Sequence, residues 1–143
     1  MPMINTYLNF KDTCEVAFDF YRSVIGGEFT TKMRMGDVDC GQPVSESAKD
    51  LIMHVSLPIG NGTVLMGSDC PEGFGPQLTV GNNFAVSLST DSKEQADEFF
   101  KGLSEGGNVV MPMADQFWGA YFGMINDKFG INWMVSYDNN RPQ

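Results

Sequence analysis

Hydrophobic and polar residues alternate near the start of the chain. Leu8 and Phe10 would point to one face of an extended segment, and Tyr7 and Asn9 to the other. An alternation with a period of two is typical of a β-strand that buries one face. The pattern predicts a strand over residues 4–10.

The pattern then changes to helical spacing. The apolar positions that recur at intervals of three and four are Val16, Ala17, Phe20, Tyr21 and Val24. Asp12, followed by Glu15 three residues later, is typical of a helix start, where a side-chain oxygen accepts from free backbone N–H groups. Gly26 and Gly27 would end the helix.

Three further strands are predicted in the first half, over Glu28–Arg34, Leu51–Leu57 and Thr63–Ser68. A polar excursion, Met35–Asp50, would separate the first two. The last two are joined through Gly60-Asn61-Gly62, a strong hairpin signal because Asn-Gly tolerates positive φ.

The second half of the chain repeats this scheme. Six residues of the first helix are matched in type 79 positions later, and self-similarity of this kind indicates a duplicated unit. The matched pairs are Asp12 and Asp91, Glu15 and Glu94, Ala17 and Ala96, Phe20 and Phe99, Tyr21 and Phe100, and Val24 and Leu103. The predicted elements of the second half are Phe84–Ser89, a helix over Asp91–Glu105, Asn108–Met113, Phe117–Ile125 and Ile131–Tyr137.

The sequence therefore predicts an α+β fold of two βαβββ repeats that form a curved mixed sheet around a cleft. Residues 1–143 would form a single domain, with repeat one over about 3–68, a connector over about 69–82 and repeat two over about 83–138. Each sheet would have one face under its helix and the other free to line the cleft.

Charge and cysteine content exclude several classes of function. The chain has 9 basic and 18 acidic residues and a net charge of −9, which disfavours nucleic acid and anionic membranes as partners. Cys14, Cys40 and Cys70 form no CxxC pair, which argues against a disulfide framework and a zinc knuckle. With no export leader or long apolar run, a cytoplasmic location is expected.

Two segments, Gln116–Gly123 and Asp127–Trp133, resemble the vicinal oxygen chelate superfamily, which includes glyoxalase I, bleomycin-resistance proteins and extradiol dioxygenases. They are most similar to its PhnB-like branch, as are Tyr7–Phe10 and the segment Ile52-Met53-His54. The resemblance implies the glyoxalase fold and a two-fold homodimer. Some members of this branch are labelled 3-demethylubiquinone-9 3-methyltransferase-like, but no Gly-rich strand-to-helix loop supports that activity here.

Metalloenzymes of this superfamily bind a divalent ion through the first and last strands of each repeat. Carried over by position, the resemblance places those ligands at Asn5, Met66, Ala85 and Met134, and a shift of one residue would substitute Thr6 or Trp133. None offers the imidazole or carboxylate that such ions require. We expect no metal and no other cofactor.

Single residues suggest where a ligand would bind. His54, the only histidine, could act as an acid or base, and Asp115 could be its partner. The predicted ligand-binding residues are Tyr7, Asn9, His54, Ser87, Gln116, Trp118, Tyr121 and Trp133. Two of the four large aromatic residues could instead fill the core. Trp118 and Tyr121 would lie on opposite faces of one strand, and the sequence leaves open which face lines the cleft.

The leading hypothesis is a metal-free protein that binds a small organic molecule in the cleft between the repeats. One alternative is a lyase or isomerase that acts on a small oxygenated substrate, with His54 or Asp115 as base. Another is a drug-sequestering protein of the bleomycin-resistance type. Whether any reaction is catalysed stays open.

Overall fold

Each repeat of the chain folds into one helix packed on a four-stranded sheet. A computed structural model describes residues 2–37, 46, 48–60, 62–70 and 77–139. The chain divides into two compact units, Met1–Thr79 (unit 1) and Val80–Gln143 (unit 2), with the boundary inside the predicted connector. The single domain over 1–143 stays a prediction. The described residues leave out most of the predicted polar excursion, including Cys40. They also leave out the hairpin residue Asn61 and residues 71–76 of the connector.

The two units have the same element order and the same sheet topology. Unit 1 contains β1 (Thr6–Phe10), α1 (Cys14–Ile25), β2 (Thr31–Arg34), a 3-10 turn (Met35–Asp37), β3 (Ile52–Gly60) and β4 (Thr63–Asp69). Unit 2 contains β5 (Val86–Ser89), α2 (Lys93–Ser104), β6 (Asn108–Asp115), β7 (Ala120–Asn126) and β8 (Asn132–Asp138). The sheet orders are β1-β4-β3-β2 and β5-β8-β7-β6. In each sheet the first pair is parallel and the others are antiparallel. The predicted α+β fold of two βαβββ modules is confirmed.

In unit 1, α1 covers the face of the sheet that carries Leu8 and Phe10, both 2% exposed. Phe18 of α1 packs edge to face on Phe10, with ring centroids 6.1 Å apart. A Cβ at Gly67 of β4 would lie 3.0 Å from the Phe18 ring, so only glycine lets the helix approach this closely. We call the opposite side of this sheet the open face of unit 1. The strand register places there Tyr7, Asn9, Thr31, Met33, His54, Ser56, Met66 and Ser68.

Unit 2 is built in the same way. Trp133 and Val135 of β8 are buried on the side of α2, at 1% and 0% exposure, and a Cβ at Gly123 of β7 would lie 2.7 Å from the Phe100 ring of α2. We call the other side the open face of unit 2. The register places there Ser87, Ser89, Phe122, Met124, Met134 and Ser136.

The predicted helix start at Asp12 is wrong. Helix α1 begins at Cys14. The backbone N–H of Cys14 donates a hydrogen bond to the carboxylate of Asp69 at the end of β4. Asp12 instead adopts a positive φ of 66°. In unit 2 the helix is capped by Ser92, whose hydroxyl accepts from the backbone N–H of Gln95.

The predicted strand over Phe117–Ile125 begins too early. Residues 117–119 form the turn between β6 and β7, and the N–H of Gly119 donates to the carbonyl of Gln116. Gly119 has a φ of +98°, which glycine adopts without strain. Strand β7 starts at Ala120, so Trp118 belongs to the turn. Within the described parts of the chain, no helix is long and apolar enough to cross a membrane.

Candidate functional site

Two of the predicted site residues, Tyr7 and His54, contact each other on the open face of unit 1. The Tyr7 hydroxyl lies 3.2 Å from Nδ1 of His54, and the two rings stack with centroids 5.6 Å apart. Nε2 of His54 lies 2.9 Å from the hydroxyl of Ser56. We call Tyr7, His54 and Ser56 the Tyr7–His54–Ser56 cluster.

The strand order of unit 1 brings this cluster together. Strand β4 lies between β1 and β3, and Met66 on β4 is paired with Tyr7 on one side and Ser56 on the other. His54 and Ser56 are two residues apart on β3, so their side chains share a face. On the other side of His54, Met33 of β2 is its paired neighbour. The cluster is therefore flanked by two thioether side chains.

The cluster offers a polar and aromatic surface, and its three side chains orient one another through hydrogen bonds and ring stacking. Both nitrogens of His54 face hydroxyl groups, which can donate or accept, so either neutral tautomer keeps both hydrogen bonds. Tyr7 is 43% exposed, whereas Ser56 is 8% exposed. Asn9 extends the polar surface, since its Oδ1 accepts a long hydrogen bond of 3.5 Å from Ser68. A ligand on this face would meet an aromatic ring and a fixed hydroxyl.

Trp118 lies on the side of the open face of unit 2. Its ring packs against Phe122 with centroids 5.8 Å apart, and Phe122 is only 9% exposed whereas Trp118 is 53% exposed. Phe117 packs on Trp118 at 5.1 Å and is 97% exposed. Ser87, another predicted ligand-binding residue, is exposed on the same face. Trp118 therefore covers Phe122 and presents an apolar surface.

Tyr121 and Trp133 do not lie on an open face. The Tyr121 hydroxyl donates to Asp97 of α2 at 2.6 Å, and this bond raises the pKa of Tyr121. The Trp133 indole N–H donates to Asp127 at 2.8 Å, and the ring is 1% exposed. Both side chains connect elements on the helix side of unit 2. Their placement gives no support to a role in ligand binding, and that role stays a prediction.

Asp115 is poorly suited to act as a base. Its carboxylate accepts from Asn139 at 2.9 Å and from Lys93 at 3.3 Å, and these contacts lower the pKa of Asp115. It belongs to unit 2, whereas His54 belongs to unit 1 and has its described partners there. Gln116 is in the β6–β7 turn and donates to the carbonyl of Ala114 at 3.2 Å. The structure thus brings His54 together with Tyr7 and Ser56, and the pairing of His54 with Asp115 stays a prediction.

The described cysteines are poor nucleophiles. Cys14 is fully buried, and burial, followed by the nearby Asp69 carboxylate, raises the pKa of its thiol. Burial also raises the pKa of the Cys70 thiol. Both are free thiols. A raised pKa leaves little thiolate at neutral pH, so neither suits covalent catalysis.

The residues at the inherited metal positions do not fit a divalent ion. Met66 and Met134 lie on the open faces of their units and offer thioethers, and Ala85 offers no donor. Asn5 has an amide oxygen, but it already accepts from the N–H of Val64 at 3.2 Å. Across residues 2–37, 46, 48–60, 62–70 and 77–139, no group of three His, Cys, Asp or Glu side chains could hold a metal.

The family sequence model of the Glyoxalase/Bleomycin resistance protein/Dioxygenase superfamily matches residues 4–135 of the chain. The chain belongs to this superfamily. Protein YjdN of Escherichia coli (strain K12) is 25% identical to it over an alignment of 152 positions, which covers 99% of each chain. The predicted resemblance to the superfamily is therefore confirmed.

Solved structures share this fold. Protein PA1353 from Pseudomonas aeruginosa matches with a TM-score of 0.84 and 36% identity, over 96% of this chain and 98% of that one. A Bacillus cereus protein described as a putative 3-demethylubiquinone-9 3-methyltransferase, PhnB protein, matches with a TM-score of 0.73 and 23% identity, over 95% and 99%. The second match shows a common fold.

Ser56 is the residue of the cluster that sequence reasoning left out of the candidate set. It lies two positions after His54 on the same strand. Residues two positions apart on a strand point to the same face, so the sequence already placed Ser56 beside His54. This spacing is the signal by which Ser56 could have been predicted as a site residue.

Proposed function

We propose that the open face of unit 1 binds a small organic molecule through the Tyr7–His54–Ser56 cluster, without a metal ion. The observation that carries this proposal is the stacked and hydrogen-bonded pair of Tyr7 and His54 on an accessible sheet face. Small-molecule sites combine apolar and aromatic walls with a few fixed polar groups. The predicted cleft between the two repeats stays a prediction.

The chemistry of the face indicates the kind of ligand. The Tyr7 hydroxyl and the imidazole of His54 can each donate or accept a hydrogen bond. Met33, 36% exposed, and Met66 add flexible apolar surface beside them. We expect a ligand with a flat apolar part and an oxygen or nitrogen atom that bonds the cluster.

A pair of matched variants tests this function. A library of aromatic fragments is screened by thermal shift, and the affinity of each hit is measured by calorimetry. Tyr7→Phe removes one hydroxyl from the cluster and should weaken hits about 3- to 10-fold, the cost of one hydrogen bond. Tyr121→Phe makes the same chemical change on the helix side of unit 2 and should leave affinity unchanged. Equal affinities for wild type and Tyr7→Phe would place the site elsewhere.

A lyase or isomerase acting on a small oxygenated substrate is a second candidate, and the contact between His54 and a phenol favours it. A neutral imidazole beside a tyrosine hydroxyl can accept a proton from a substrate or return one. Proton NMR of a bound fragment over hours separates the two candidates. Unchanged ligand signals support a binding protein, including one that sequesters a drug, whereas new product signals that disappear in His54→Gln support the enzyme.

A further inference from the structure

Three methionines lie side by side across strands β6, β7 and β8 of unit 2. Met124 of β7 is paired with Met111 of the edge strand β6 on one side and with Met134 of β8 on the other. Residues paired across antiparallel strands share a face, and their Cα atoms lie about 4.5–5.5 Å apart. Since Met124 and Met134 are on the open face of unit 2, Met111 is on that face as well. We call these three residues the methionine row.

The fold does not require methionine at these positions. In unit 1, the row across the equivalent strands consists of Thr31 on β2, Ser56 on β3 and Met66 on β4, so it contains a single thioether. The methionine row is also not part of the packed interior of unit 2. Met111 is 39% exposed, and Met124 and Met134 are half-buried. Core packing therefore does not explain why three thioethers lie together on an open sheet face.

Three thioether sulfurs suit a soft monovalent cation. Thioethers bind Cu(I), whereas harder divalent ions need carboxylate, carbonyl, water or imidazole ligands. The methionine side chain is unbranched and flexible, so three of them on adjacent strands can turn their sulfur atoms towards one ion. Thioethers are neutral, and a bound ion therefore keeps its positive charge. The net charge of −9 on the chain favours such an ion.

The position of the row also gives an ion a way in. Met111 belongs to the edge strand of the sheet and is the most exposed of the three side chains. Met124 and Met134 lie further from the edge and are less exposed. An ion can therefore contact Met111 first and then be held by the two inner sulfurs. An entry path of this kind is one requirement of a metal site.

We infer that the methionine row binds a soft monovalent cation of the Cu(I) type through the sulfur atoms of Met111, Met124 and Met134. This site differs from the divalent-ion site of the superfamily, whose ligands come from the first and last strands of each repeat. Met134 is at one of those inherited positions, but Met111 and Met124 are on other strands. The expected absence of a metal concerned divalent ions, for which thioethers are unsuitable ligands.

This site is independent of the proposed function. The Tyr7–His54–Ser56 cluster belongs to unit 1, and the methionine row belongs to unit 2. Variants in the row leave the residues of the cluster intact, and the fragment screen for the cluster is carried out without metal. Failure of one proposal can therefore be told from failure of the other.

NMR of the methionine methyl groups tests the site, with silver(I) nitrate in chloride-free buffer as a diamagnetic probe. The full chain carries Cys40→Ser and Cys70→Ser, because thiolates bind the same ions, while Cys14 is fully buried. The methyl signals of the methionine row should shift together and saturate with a single bound silver ion. The signal of Met113 should not shift, because its sulfur is on the helix side, 2.6 Å from where a Cβ at Gly123 would lie.

Two matched variants make the test specific. Met124→Leu removes the central sulfur at nearly constant volume. It should weaken silver binding at least about tenfold, because the loss of even an outer-shell partner of a metal has that effect. Met113→Leu makes the same change on the strand of Met111 and should leave the affinity unchanged. Circular dichroism checks that each variant is folded.

Several outcomes would overturn the inference. Methyl signals of the methionine row that do not move with silver(I), or that move independently of one another, would show that the three sulfurs do not share an ion. Unchanged affinity in Met124→Leu, or an equal loss in Met113→Leu, would show that the row is not the site.

Discussion

The carboxylate of Asp69 accepts a hydrogen bond from the backbone N–H of Cys14, 3.0 Å away, although the two residues are 55 positions apart. Its other oxygen accepts from the N–H of Ile52 at 2.8 Å. Asp69 is 4% exposed, so these bonds form in the interior of unit 1. One side chain at the end of β4 thus caps α1 and fixes the start of β3.

Replacing Asp69 with alanine should destabilise the protein. The change leaves two buried N–H groups without their acceptor, and bonds to a charged group contribute about 1.5–3 kcal/mol each, so a loss of about 3–6 kcal/mol is expected. Urea unfolding measures it. Asp19→Ala, an exposed change on α1, should cost much less. A similar loss in both variants would mean that Asp69 has no special role.

Glu15 should make stability depend on pH. Hydrogen bonds from Arg34 and then Lys32 lower its pKa from the ordinary 4.5 to about 2. Because the folded pKa is the lower one, this contribution is complete above pH 4.5 and is lost as the pH falls towards 2. The advantage of wild type over Glu15→Gln should therefore shrink across that range.

The expected size is small, because the Glu15 side chain is 36% exposed. Pairs of this kind contribute about 0.2–1 kcal/mol. Thermal unfolding from pH 6 to pH 2 measures the difference. Glu94 is the matching residue of repeat two and is exposed, so Glu94→Gln serves as the control for the loss of one carboxylate from the first turn of a helix. If the stability difference between wild type and Glu15→Gln grew as the pH fell, the result would contradict the account.

The two tryptophans should differ in their access to solvent. Trp133→Phe leaves Trp118 as the only indole, and acrylamide should quench its fluorescence strongly, because Trp118 is 53% exposed. Trp118→Phe leaves Trp133, which is 1% exposed and should be quenched weakly. Equal quenching of the two variants would show that Trp133 is not buried on the helix side of β8.

Local patterns predicted the elements well where the two faces of an element differ in polarity. On β1, Leu8 and Phe10 alternate with Tyr7 and Asn9, and the structure buries the first pair. On α1 the neighbours Val16, Ala17 and Phe18 are all apolar, so polarity could not fix which ones face the sheet. Phe18 is buried and Val16 is exposed.

The candidate site could be predicted only one residue at a time. Tyr7 and His54 were each candidates, but they are 47 positions apart, and their contact depends on β4 lying between β1 and β3. The face of β8 on which Trp133 lies could not be predicted, for a local reason. Its neighbours Met134 and Val135 are also apolar, so the two faces of β8 could not be told apart by polarity.

The most direct test of the proposed site is a map of backbone amide shifts by NMR when a fragment hit is titrated into the labelled protein. Binding at the Tyr7–His54–Ser56 cluster predicts the largest shifts at Tyr7, His54, Ser56 and Met66, which adjoin one another on the open face of unit 1. The amides of the helix α1 surface should move little. Largest shifts at other residues, with those four unchanged, would contradict the account.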